Sequence, residues 1–157
     1  MASVGQRNTG PEMSLRRALH RLGLRYRLHD RKLPGSPDLV FPGFKSAVFV
    51  HGCFWHVHKG CKFAKEPVSR QDFWRAKFEA NQKRDRKNYN SLLASGWRVL
   101  VVWECAIKGK KAPELKELGI HVRAWLLSKE RFGELGYSDM RSIHDLEASG
   151  DIGGGKP

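Results

Sequence analysis

Residues 47–61 constrain this chain more than any other stretch. Ala47, Val48, Phe49 and Val50 form a short apolar run that reads as a buried strand. His51, Gly52, Cys53, Phe54, Trp55, His56, Val57, His58, Lys59, Gly60 and Cys61 follow without a break. Metal donors, large aromatics and titratable imidazoles therefore crowd onto one strand end. Cys53-x4-His58-x2-Cys61 supplies three donors, and Cys105, 44 residues beyond Cys61, is the obvious fourth. Three thiolates and one imidazole are a standard tetrahedral set for structural Zn2+, and four protein ligands leave no open position for chemistry. On spacing alone His51 or His56 could replace His58 as the nitrogen ligand. Phe54 and Trp55 sit inside the loop that such an ion would hold. Aromatics on a rigid loop can stack on bases or wedge between base steps, and Trp74, with Phe73, could join them. Core packing is the plainer expectation for Phe73 and Phe78.

The charge favours a polyanionic partner. The chain has 29 Lys and Arg against 16 Asp and Glu, a net +13 at pH 7. That points to nucleic acid before membrane, without separating DNA from RNA. Lys62, Lys65, Arg70, Lys83, Arg84, Arg86 and Lys87 are candidate phosphate contacts. Residues 1–13 contain no apolar signal-peptide core, and no apolar run approaches the ~20 residues of a membrane span. Three cysteines are an odd number for a disulfide framework, so metal ligation in a reducing cytoplasm is the expectation.

The length suits one domain over residues 9–148, with a flexible lead over 1–8 and a flexible tail over 149–157. Thr9 and Glu12 form a capping-box pattern ahead of an apolar stripe of Leu15, Ala18, Leu19 and Leu22, with Gly23 as a stop. Residues 24–28 alternate like a short strand. Asp38 opens a strand over 39–41, Pro42 and Gly43 break it, and 47–50 return as an antiparallel partner. Ser69 and Asp72 repeat the capping box before a long helix. Its basic middle allows a break near Asn81, and Gly96 ends it. Residues 97–103 read as a central strand covered on both faces. Residues 112–118 suggest a short helix stopped at Gly119, 120–127 strand or helix, and 138–148 a terminal helix. Together these elements give an α/β domain with a mixed central sheet flanked by helices.

Phosphodiester hydrolysis needs an activated water, charge neutralisation and proton transfer. Asp38 is a hard oxygen ligand suited to Mg2+. Glu12 could bind a metal-linked water, and His51 and His56 titrate near neutrality. Spacing alone does not bring Glu12 to Asp38.

Four strings in order then resemble one family. They are Asn8-Thr9-Gly10-Pro11-Glu12, the run from Leu33 through Pro34, Gly35, Ser36 and Pro37 to Asp38, the run from Val48 to His56, and the run from Gly96 to Cys105. They look like motifs of the very-short-patch repair (Vsr) DNA mismatch endonucleases, across roughly residues 6–108. The resemblance implies a restriction-endonuclease-like fold with one structural zinc. It implies Mg2+-dependent nicking of double-stranded DNA on the 5′ side of the thymine in T:G mismatches left by deaminated 5-methylcytosine, giving 3′-hydroxyl and 5′-phosphate ends. It carries a functional link to a cytosine-5 DNA methyltransferase. Asp38 matches the magnesium-binding aspartate, Glu12 the assisting glutamate, His56 the catalytic histidine and His51 a supporting one. Cys53, His58, Cys61 and Cys105 match the zinc ligands, and Phe54, Trp55 and Trp74 the aromatics that enter the DNA stack. Val50 stands where the best-known members have a threonine that contributes to metal coordination, so only its backbone carbonyl could serve. The His58 to Cys61 spacing is one residue longer than in the best-known member. A monomer is expected. The alternatives are a site-specific nickase without mismatch preference, a non-catalytic zinc-containing DNA-binding protein, and a basic ribosome-associated protein.

Overall fold

The computed structural model describes residues 8–108 and 114–137. Residues 1–7 of the lead expected over 1–8, the start of the helix expected at 112–118, the helix over 138–148 and the tail lie outside the described residues.

Helix α1 (Gly10–Arg21) is followed by β1 (Arg27–Leu28), β2 (Leu39–Phe41) and β3 (Ser46–His51). Then come α2 (Gln71–Ala94), β4 (Arg98–Trp103), α3 (Leu115–Leu127) and β5 (Phe132–Leu135). The strands form one sheet in chain order. β1, β2 and β3 pair antiparallel, and β3, β4 and β5 pair parallel. This is the mixed sheet flanked by helices that the sequence pattern implies.

Alternation along β3 and β4 sorts the core into two layers. Val48, Leu100 and Val102 pack with Leu15 and Leu19 of α1 and Leu118, Val122 and Leu126 of α3. Ala47, Phe49, Val99, Val101 and Trp103 face the other way, with Leu92 of α2 and the three cysteines. β4 is covered on both faces, and Val99, Leu100 and Val102 are fully buried.

α1 starts as its sequence suggests, with Thr9 Oγ1 accepting the Glu12 N–H at 3.2 Å. Leu15, Ala18 and Leu19 are buried, and Gly23 leaves the helix at φ 84°. The second capping box does not form. Arg70, not Ser69, precedes the first turn of α2, in the left-handed region at φ 54° and with no side-chain cap. Its guanidinium lies over the Phe73 ring, 4.4 Å from the centroid, and its carbonyl accepts the Trp74 N–H. α2 is continuous through Asn81, because that buried side chain donates to the Trp55 carbonyl at 3.0 Å and accepts from Arg84 at 2.8 Å. Gly119 does not stop a helix; α3 runs through it to Leu127. A Cβ there would stand 2.9 Å from Leu22 and 3.6 Å from the Ala18 carbonyl, so the glycine lets α3 approach α1. Residues 120–127 are accordingly helix.

The last crossover is closed by Arg98. Its guanidinium donates to the carbonyls of Trp125 (2.8 Å), Leu126 (2.9 Å), Ser128 (2.9 Å) and Glu130 (2.8 Å), and lies 4.3 Å from the Trp125 ring centroid. One cation at the start of β4 thus gathers four carbonyls at and just beyond the end of α3. A lysine cannot reproduce that planar fork. Arg98→Lys is expected to lower stability by about 2 kcal/mol in a urea melt, with the slope unchanged.

Candidate metal and catalytic centre

The strand ends of β3 and β4 lie side by side, with His51 opposite Trp103. The chain beyond each carries donors. Cys53, His58, Cys61 and Cys105 bring their ligand atoms within 4.8 Å of one another. His58 Nδ1 is 3.6 Å from Cys53 Sγ and 3.5 Å from Cys105 Sγ. Sulfur and nitrogen bonded to one tetrahedral Zn2+, at 2.3 and about 2.05 Å, stand roughly 3.6 Å apart. The donor types and the spacing both fit such an ion. The His58 ring stacks on Trp103 at 4.2 Å and 8°, which fixes its orientation. The Cys105 thiol is held below its ordinary value, first by a hydrogen bond from Cys53, with the Tyr137 N–H and His58 also lowering it. A thiol that sheds its proton easily is a ready metal ligand. The cluster takes His58 as its nitrogen donor; His51 and His56 belong elsewhere. The longer loop is accommodated by Gly60, at φ 74°.

His51 and His56 stack face to face, with ring centroids 3.7 Å apart and planes within 3°. His51 is 6% exposed, and burial, then the neighbouring His56, holds its imidazole well below the usual range. It is therefore neutral at pH 7. Its Nδ1 lies 3.0 Å from the Tyr89 hydroxyl. Burial keeps that phenol protonated far into the alkaline range, reinforced by Asp85, Glu134 and Asp38. His56 Nδ1 is 2.6 Å from Asp85 Oδ2. That bond turns the ring and leaves Nε2 as the nitrogen able to exchange a proton. His56 and Asp85 line a cleft of about 530 Å3 with Arg86, Tyr89 and Trp103, so this pair meets solvent while His51 does not.

The third group is Glu12, His29 and Asp38, whose ligand atoms also lie within 4.8 Å of one another. Glu12 is 1% exposed. The Asp38 carboxylate accepts the Val50 N–H at 2.7 Å, which ties the start of β2 to the end of β3. The fold therefore brings Glu12 to Asp38, a meeting that sequence spacing left open. Val50 and His51 are adjacent, so the Asp38 group and the histidine pair share one strand end.

The aromatics form a separate cluster. Phe54 meets Trp55, Trp74 and Phe78 edge-on at 5.1, 5.4 and 5.1 Å. Trp55 is 47% exposed and Phe73 is 45% exposed, whereas Phe78 is buried. Core packing thus holds for Phe78 and not for Phe73. Lys62, Lys65, Arg70, Lys83, Arg84, Arg86 and Lys87 are all exposed.

Sequence reasoning missed Asp85, Tyr89 and His29. Asp85 carried a signal, being the one acidic residue within a very basic run of α2.

A sequence profile described as "DNA mismatch endonuclease Vsr" matches residues 1–62. The DNA mismatch endonuclease Vsr of Escherichia coli (strain K12) is 37% identical over 146 residues, spanning 93% of this chain and 91% of that protein. The chain belongs to the Vsr family. The Xanthomonas oryzae type II nicking enzyme V.XorIIP is 48% identical over 116 residues, 74% of this chain and 85% of that enzyme. The Neisseria meningitidis type II nicking enzyme V.NmeAIP is 42% identical over 110 residues, 70% and 78% of the two chains. This Vsr relative is a DNA-nicking endonuclease with a cysteine–histidine cluster able to bind a metal.

Cys105→Ser removes a buried thiolate donor. The variant is expected to lose the cluster's metal, read by elemental analysis, and to melt about 10 °C lower. Unchanged metal content and melting would contradict the ligand assignment.

Proposed function

We propose that this nuclease nicks double-stranded DNA on the 5′ side of the thymine in a T:G mismatch, leaving 3′-hydroxyl and 5′-phosphate ends. The observation that carries the reading is one loop holding both kinds of equipment. Trp55, half exposed in an aromatic cluster, is followed directly by His56, which is paired with Asp85. Structural zinc is the ion best suited to the Cys53, His58, Cys61 and Cys105 set.

Asp38, with Glu12 beside it, offers the hard carboxylate oxygens that suit Mg2+. Bound there, Mg2+ supplies charge neutralisation at the scissile phosphate and lowers the pKa of water. Val50 can add only its backbone carbonyl. His56, oriented by Asp85, moves the proton. His51, buried beneath His56 and kept neutral by that burial, supports the His56 ring from behind. Phe54, Trp55 and Trp74 test the stack, which opens at lower cost at a mismatch, where unstacking normally takes a few kcal/mol per step. The exposed lysines and arginines hold the backbone.

The substrate arises when 5-methylcytosine deaminates, which links this enzyme to a cytosine-5 DNA methyltransferase. It acts as a monomer in the cytoplasm, where DNA is reached without export. A second reading, a site-specific nickase indifferent to mismatch, is favoured by the relatives named as type II nicking enzymes.

The test is strand-specific nicking of labelled duplexes with Mg2+, comparing T:G in several flanking contexts with C:G and T:A. Cleavage confined to the mismatched thymine strand is expected. Equal cleavage of every duplex would replace the repair reading by the second one. Asp38→Ala should lower nicking roughly a thousandfold, from the loss of several kcal/mol of metal-borne stabilisation, with the cysteine-bound metal retained.

A further inference from the structure

The Glu12 carboxylate is surrounded more closely than a helix cap requires. Thr9 already caps α1. Oε1 of Glu12 accepts the Asn8 N–H at 3.0 Å, one residue before the position a capping box would use. Oε2 meets Arg16 Nη1 at 3.4 Å and His29 Nε2 at 2.8 Å. His29 adopts φ 45°, a left-handed backbone that non-glycine residues seldom take. Its N–H donates to the Asp38 carbonyl at 3.1 Å, so the backbone that bears this ring is registered to Asp38. The ring is 13% exposed, and its nitrogen lies with the Glu12 and Asp38 oxygens in one group of donors within 4.8 Å.

Two donors about 2.1 Å from one octahedral ion stand roughly 3 Å apart when adjacent. The 2.8 Å between Glu12 Oε2 and His29 Nε2 is close to that edge. An ion seated against both takes the Nε2 lone pair, and the hydrogen now on that nitrogen moves to Nδ1 by exchange through water, so the ligand is a neutral imidazole. The donor chemistry also matters. Mg2+ takes oxygen ligands, whereas an imidazole raises the affinity of first-row transition ions, Mn2+ among them.

We propose that His29 is a nitrogen ligand of the catalytic divalent ion, completing with Glu12 and Asp38 a carboxylate–imidazole centre that takes Mn2+ in preference to Mg2+. This rests on the nuclease reading above and adds a residue and a metal preference to it.

The test uses the full chain with its cysteine site loaded with zinc, Mn2+ as the probe and no DNA. Pulsed electron paramagnetic resonance reads 14N coupling to Mn2+, and uniform 15N-histidine labelling assigns that coupling to imidazole. The unmodified protein should show directly bound imidazole nitrogen. His29→Gln, which keeps a donor for Glu12, should lose the coupling, and its preference for Mn2+ over Mg2+ should fall about tenfold. No coupling in the unmodified protein, or coupling that persists in His29→Gln, overturns the inference. Should His29→Gln not fold, the His51→Asn, His56→Asn double variant answers the same question. Coupling retained there supports His29, and coupling lost there overturns it. Mn2+-supported nicking of a T:G duplex, run in parallel, separates the two readings. Nicking without nitrogen coupling overturns the His29 ligand alone. Coupling without any nicking overturns the nuclease reading and supports the metal centre.

Discussion

The four donors Cys53, His58, Cys61 and Cys105 are the constraint on which the rest of this structure depends. They join the loop after β3 to the turn after β4, the two strand ends where the candidate site lies. That loop has little apolar surface to bury. Trp55 stands half in solvent, and Lys59 and Gly60 are exposed. Packing alone would leave such a segment among the least stable parts of the molecule. A metal ion bound by these four donors would replace the missing core with a directional tie. The stack of His58 on Trp103 carries that tie into the sheet, and the Asn81 bond to the Trp55 carbonyl carries it into α2.

Around this tie the site has two sides that meet at the end of β3. One side is carboxylate-rich, with Glu12 fully buried and Asp38 bonded to the Val50 N–H. The other is imidazole-rich, with a neutral His51 sealed under His56, and His56 held by Asp85. Burying Glu12 without partners would be costly, and Asn8, Arg16 and His29 provide them. The position follows a general rule for sheets with parallel strands, whose carboxyl ends gather the loops that carry function. Here β3 and β4 are that parallel pair, and the antiparallel β2 brings Asp38 to the same edge.

Local patterns made much of this legible. The cysteine spacing, the Thr9 cap, the hairpin around Pro42 and Gly43 and the apolar run of β4 each express a short-range rule, and each is where the sequence places it. The misreadings have one cause. Ser69 looked like a cap, but Arg70 stacking on Phe73 sets the helix start. Gly119 looked like a stop, but it is small because α1 passes close by. β5 reads only as Phe132, Gly133, Glu134 and Leu135, too mixed to declare itself until β4 pairs with it. Asp85, Tyr89 and His29 lie 29, 38 and 17 residues from the groups they contact, beyond the reach of any spacing rule. His29 was hidden further by its backbone, since no side-chain pattern announces a left-handed histidine.

One metal ion bound by the cysteine–histidine cluster would hold the loop that carries Phe54, Trp55 and His56. Amide hydrogen exchange across residues 52–61, measured on the folded protein before and after zinc is removed by a chelator, tests it most directly. That loop and the turn at Cys105 should lose protection together on removal, and regain it with one equivalent of zinc per chain. Protection of residues 52–61 that is unchanged by removing the metal would contradict it.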